Sequence, residues 1–182
     1  LGTIQKTFSF VRGYKDAGGY HIFSGVSVVG LTIDVPEEGI ISVTFTLQGR
    51  NRKPVTFTLP AGTVTATNKN TLMTNVGVGD VTIDGQPMAD VACATAFSLS
   101  MEFSYNAQKC FGKGLSVGKI IENGVAITGS VTLAWGDEAA ALNELKYNNS
   151  SIALKIPLSD DAGNTYTIEV PEACLLYTSD AA

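Results

Sequence analysis

The sequence predicts a mainly β fold, a sandwich or barrel with one packed helix. Two observations predict the sheets: apolar and polar residues alternate with a period of two through most of the chain, and turn compositions separate the alternating segments. A third predicts the helix, because one stretch, about 137–146, carries capping and charge signals.

Each element can be justified in order. "KTFSFVRGY" places Phe8 and Phe10 together on one side of an extended chain. "GVSVVGLTID" offers Val26 and Val28, then Leu31 and Ile33, with Gly30 expected as a bulge. "GIISVTFTLQG" sends Ile41, Val43, Phe45 and Leu47 to one side, which is expected to face a core. Ser42, Thr44, Thr46 and Gln48 fall on the other side, polar but without charge. Residues 50–75 are rich in Thr and Asn and contain Pro54 and Pro60. They are expected to form a long exposed loop, and connections of that length are usually functional or mobile.

"AFSLSMEFSY" lines Phe97, Leu99, Met101, Phe103 and Tyr105 on one face, opposite Ser98, Ser100, Glu102 and Ser104. "GVAITGSVTLAW" does the same with Val125, Ile127, Val131, Leu133 and Trp135, opposite Thr128, Ser130 and Thr132. Asp137 can cap the helix, Glu138 and Lys146 suit its dipole, and Ala141, Leu142 and Leu145 form its apolar stripe. "SIALKIPL" and "TYTIEV" close the set, joined by the turn "SDDAGN". No repeat at a solenoid period is present.

The 182 residues suit one domain, expected over 1–173. Charged residues make up 16% of the chain, fewer than usual for a folded protein. Seventeen acidic against twelve basic residues give a net charge of −5, which argues against a surface that grips duplex DNA. No apolar run reaches the ~18–20 residues of a membrane span, and no signal peptide is expected. Cys93, Cys110 and Cys174 form no CxxC pair and are expected to be reduced packing residues. The chain opens on Leu1, so its native start is expected to be missing. The last eight residues, "LLYTSDAA", resemble translated adapter read-through, and 174–182 are expected to form a non-native tail that packs poorly.

Motif by motif, catalysis finds no support. "GKGLSVGKI" encloses three residues between Gly114 and Gly118 where a phosphate loop needs four, and Ile120 stands where Ser or Thr would hold the metal. It is expected to be a strand connection. His21 has no nucleophile or ligand spacing near it and is expected to be a hydrogen-bonded strand histidine. "SDDAGN" lacks the spacing of a calcium loop. The sequon in "NNSS" carries no meaning without secretion. "RNRK", Arg50 to Lys53, is either a solvated loop cluster or a docking contact for an acidic neighbour. No catalytic constellation, cofactor motif or metal set is expected.

Two blocks resemble the tail tube (major tail) protein family of long-tailed bacteriophages. The first, "FSFVRGYKDAGGYHIFSGVSVVGLTIDVPEEGIISVTFTLQGR", is similar to the family pattern at Arg12, Tyr14, Asp16, Tyr20, Phe23, Gly25, Val26 and Gly49. The second runs from "FSLSMEFSYNAQKCFGKG" through the Ile-Thr-Gly strand and the short helix to the closing hairpin at Pro171. The resemblance covers about residues 3–173, and the family has more chain before the first block.

The resemblance implies a β-sandwich or barrel of tail-tube type, a structural virion subunit and not an enzyme. It implies hexameric rings stacked into a hollow tube that passes the genome, assembled in the bacterial cytoplasm, with other tail proteins such as the tape measure as partners. On that reading Arg50, Arg52, Lys53, Asn68, Lys69 and Asn70 are the candidate inter-subunit loop. Ser42, Thr44, Thr46, Thr128, Ser130 and Thr132 form the candidate polar face, lining a lumen or meeting the adjoining sheet. An acidic balance lets DNA slide without sticking. The competing class is a monomeric β-sandwich adhesion or carbohydrate-binding module, which would expose clustered aromatics. A tail terminator, head–tail connector or baseplate-hub protein would share the strand pattern.

Overall fold

The computed structural model of the protein describes residues 6–14, 16–56, 58, 72–87, 94–112, 116–134, 148 and 150–176. Ten strands run through them: β1 (Phe8–Tyr14), β2 (Gly19–Val35), β3 (Ser42–Gln48), β4 (Asn51–Arg52), β5 (Thr82–Ile83), β6 (Gln86–Pro87), β7 (Ala94–Lys109), β8 (Val117–Leu133), β9 (Ser151–Ser159) and β10 (Thr165–Cys174). One sheet has the order β1-β2-β7-β8, with β3 and β4 also paired to β2, and a second has the order β10-β9-β5-β6. The mainly β class that the alternation predicts is the class observed. Helical structure among the described residues is a 3-10 turn at Asn75–Gly77. The helix expected over about 137–146 lies outside the described residues.

By internal contacts the chain divides into two compact units. The first comprises Leu1–Thr32, Val43–Thr67 and Leu99–Thr128, and the second Ile33–Ser42, Asn68–Ser98 and Gly129–Ala182.

In the first unit β1 and β2 form an antiparallel hairpin in which Arg12 faces His21 and Tyr14 faces Gly19. The register then shifts, because Phe10 faces Phe23 but Phe8 faces Val26. The extra residue sits in β2 next to Gly25, whose φ of 62° lies in the left-handed region that favours glycine. Gly30, where the sequence suggests a bulge, lies within β2 and beyond its pairing with β1. A Cβ on Gly30 would lie 3.1 Å from the Thr46 Cβ, so the missing side chain lets β3 lie close beside β2. Val26, Val29, Leu99 and Ile120 are buried here. Ser27 is buried too, and its hydroxyl has no hydrogen-bond partner among the described residues.

In the second unit β9 keeps strict alternation. Ile152, Leu154, Ile156 and Leu158 are buried with Val35, Ile83 and Phe97. On the outer face Lys155 faces Glu169 of β10 and the two form an ion pair at 3.0 Å. Both are well exposed, so the pair contributes ~0–1 kcal/mol. The β9–β10 register shifts between Val170 and Ala173. Pro171 lies there, and without an N–H it cannot join a ladder. Pairing resumes through Cys174, which faces Ser151.

Turn chemistry closes both hairpins of this unit. Asp84 (φ 49°) and Gly85 (φ 80°) make the two-residue turn between β5 and β6. Asp84 is also tied to β9, since its N–H donates to the Ala153 carbonyl at 2.9 Å and its carboxylate accepts from the Ala153 N–H at 2.7 Å. Between β9 and β10 the Asp160 carboxylate accepts from the Ala162 and Asn164 N–H groups and from the Asn164 side-chain amide. These bonds, the Asn164 side chain foremost, hold the Asp160 carboxyl below the usual carboxylate range. Its oxygens are committed to an Asx turn, as the composition of "SDDAGN" predicts.

Cys110 and Cys174 are free and exposed, which corrects their expected role as packing residues. Cys93 lies outside the described residues.

Two stability changes follow. Ile156 is 2% exposed, so Ile156→Ala should cost ~2–5 kcal/mol by the lost burial and the cavity left behind, read as a lower urea midpoint. Ser27→Ala removes an orphaned buried hydroxyl and should leave stability unchanged or raise it by about 1 kcal/mol in the same assay.

Candidate functional site

All six residues of the expected polar face stand on strands and are exposed. In the first unit Thr46 lies beside Gly30, and one pleat along β2 Thr32 meets Ser100 of β7, hydroxyl to hydroxyl at 3.4 Å. Thr44 and Thr46 therefore share a sheet face with Thr32. In the second unit Ser98 of β7 meets Ser130 of β8 at 2.8 Å, and the Thr95 hydroxyl donates to the Thr132 carbonyl at 3.4 Å. Hydroxyl pairs across strands suit this position. They satisfy one another at short reach and present no fixed charge.

The opposite row of β3 is not where alternation alone would put it. Val43 is 51% exposed, Phe45 57% and Leu47 40%, which corrects the expectation that this row enters a core. Period-2 patterning says which side chains share a face, and not whether a second layer covers it. Among the described residues β3 pairs only with β2. It is therefore a strand with an apolar face and a hydroxyl face, both open.

The segment expected as a long free loop begins as a paired strand. The Arg50 N–H donates to the Ser24 carbonyl at 3.3 Å and the Lys53 N–H to the Ile22 carbonyl at 2.9 Å. Tyr20 and Thr56 exchange two backbone bonds, at 2.7 and 3.1 Å. At its far end Met73 accepts from the Ile41 N–H at 3.0 Å. The near flank leaves the loop state by pairing with the long strand β2, and the far flank by pairing with Ile41 just before β3. Asn68, Lys69 and Asn70 lie outside the described residues.

Arg50 has a structural task. Its side-chain stem covers Gly25, where a Cβ would come within 2.9 Å of the Arg50 Cδ. Its guanidinium donates to the Gly118 carbonyl at the start of β8, and its own carbonyl accepts from the Val117 N–H at 2.8 Å. Ser116 adds a hydroxyl bond to the Asn51 side chain at 3.1 Å. The bulge at Gly25 thus makes room for an arginine that bridges two strands. The end of the glycine–lysine stretch, from Val117, lies within β8, where a strand connection was expected, and residues 113–115 lie outside the described residues.

Arg52 and Lys53 remain exposed and form no ion pair among the described residues. Arg52 faces Phe23 across the β2–β4 pair. Phe23 in turn faces Phe10, which gathers Phe10, Phe23 and Arg52 across three strands. Next to them the Arg12 guanidinium carbon lies 5.0 Å from the Tyr14 ring centroid. The His21 ring meets Tyr14 edge-on at 4.8 Å and Phe23 at 6.4 Å. His21 is a strand residue as expected, and these ring contacts stand where a hydrogen bond was expected. The sequence reading did not assemble this aromatic and cationic group. Phe10, Arg12 and Tyr14 follow at i, i+2 and i+4, but their partners on β2 and β4 depend on the hairpin register.

A hollow of about 250 Å³ in the second unit is lined by Val35, Val81, Phe97, Val131 and Ile156, with Glu37 at its border. Its lining includes no His, Cys or second carboxylate. Among the described residues no group of three His, Cys, Asp or Glu side chains could hold a metal.

Truncating the bridge should be measurable. Arg50→Ala uncovers Gly25 and frees the Gly118 carbonyl, and should lower stability by ~1 kcal/mol in denaturant unfolding, while Arg50→Lys should keep part of the loss back through its stem.

The family described as phage tail tube protein matches this chain over residues 2–181. No curated protein matches it.

Proposed function

The chain belongs to the phage tail tube protein family, and from that premise we propose that its copies close into hexameric rings stacked as a hollow tube for the viral genome. The observation that carries the proposal is β3, open on both faces. A row of Val43, Phe45 and Leu47 in water is a liability for an isolated chain, and a neighbouring copy removes it. The hydroxyl row of Ser42, Thr44 and Thr46 is the surface turned to the lumen.

That assignment has a physical basis. Duplex DNA is held by cations that displace its counterions, so a wall of hydroxyls without Lys or Arg offers little to hold it. Thr128, Ser130 and Thr132 extend the same chemistry on β8. The subunit has a structural role and no catalytic one. Its partners are further copies of itself and the tape measure protein within the tube. Assembly takes place in the host cytoplasm, and the product is part of the virion tail.

Negative-stain microscopy and light scattering of the full chain test this directly. Rings or tubes with a central channel are the expected outcome. A protein that stays monomeric at high concentration overturns the reading.

A further inference from the structure

We propose that successive copies dock head to tail, the aromatic and cationic face of β1, β2 and β4 on one copy meeting an acidic rim on the next. This rests on the tube-subunit reading and adds which surfaces meet. The net charge of −5 conceals a strong partition. The sequence segments of the first unit hold nine Lys or Arg and three Asp or Glu, a net of +6. Those of the second hold three and fourteen, a net of −11, and the two together restore −5.

The basic surface is the one already built from Phe10, Arg12, Tyr14, Phe23 and Arg52. Phe10 is 44% exposed and Tyr14 37%, although both are aromatic. Neither Arg12 nor Arg52 has an acidic partner among the described residues. The face is therefore an apolar strip edged by two uncompensated guanidinium groups, the residue types that anchor protein interfaces.

The acidic surface surrounds the 3-10 turn at Asn75–Gly77. The Asn75 amide donates to the Glu37 carbonyl at 2.7 Å, and the Ser159 hydroxyl donates to the Gly77 carbonyl at 2.9 Å. These bonds bring the Glu37–Glu38 bend and the turn holding Asp161 to the two sides of Val76, which is 87% exposed. Glu37, Glu38 and Asp161 are exposed and form no ion pair among the described residues. This surface too has an apolar centre and a charged border, of the opposite sign.

Complementary surfaces on identical chains select each other and repel themselves. Because the two differ, the contact is heterologous and repeats in one direction, which closes a ring or extends a stack with a defined polarity. Stacked aromatics with arginines would also suit a single-stranded nucleic acid. A second copy is favoured because the chain itself carries the matching acidic surface.

Two reversal variants test the docking, R12E/R52E and E37K/E38K/D161K, with fold checked by circular dichroism and assembly by sedimentation and microscopy. Wild type is expected to assemble, each variant alone to remain small, and an equimolar mixture of the two to assemble again. If wild type assembles and either variant alone does so equally well, or the mixture stays small, the docking is overturned and the tube reading stands. If wild type does not assemble, both fall. Should a reversal unfold the chain, the neutral R12Q/R52Q is used, with a rise of about tenfold in the concentration needed for assembly expected and no change overturning the docking. A labelled oligo-dT that binds wild type but not R12E/R52E, with assembly of that variant intact, would assign the face to nucleic acid and overturn the docking as well.

Discussion

A strand of 17 residues, β2, has more backbone donors and acceptors than any one short neighbour can satisfy, and the larger sheet is the consequence. β1 pairs with its first half, β3 and β4 pair with it as the chain returns, and β7 joins it on the path to β8. A bulge at Gly25 adjusts the β1–β2 register, and Arg50 occupies the space that the glycine leaves. The basic segment that looked like the mouth of a free loop is thereby drawn onto the sheet. Its cations then divide by task, Arg50 bridging strands and Arg52 standing outside with Phe23.

The second consequence is a surface unusual for an isolated chain. Val43, Phe45 and Leu47 on β3, Phe8 and Phe10 on β1 and Val76 at the 3-10 turn all face outward. Most single exposed apolar residues need no explanation, but contiguous rows do. Few charges, open apolar rows and hydroxyl-bearing faces describe a part designed to be covered by its like. The chain belongs to the phage tail tube protein family, and in the proposed assembly neighbouring copies would cover those surfaces.

Charge follows the same logic at a larger scale. A single figure of −5 suggests a mildly acidic protein that avoids DNA. Separated by compact unit, it becomes a basic part and a strongly acidic part. Like-charged parts of different copies repel and unlike parts attract, so the partition governs orientation more than affinity. Lys155 and Glu169 are already paired within the chain and contribute little to such a field.

The β class, most strand positions and most side-chain rows were legible in the residue pattern, because the two-residue period is a local property of extended backbone; in β2, however, Val29 is buried where Val28 was expected. The turn in "SDDAGN" was legible too, because the partners of Asp160 lie within four residues of it. The residue pattern did not reveal the Asp84–Gly85 hairpin, since β5 and β6 are two residues each and show no alternation to count. Three features came only from the packed chain: the apolar row of β3 stays open, β1 and β2 shift register beside Gly25, and Arg12, Arg52 and the aromatic rings share a face. Each of these depends on what lies across a strand or above a sheet. Such neighbours are distant in sequence, and no local period encodes them.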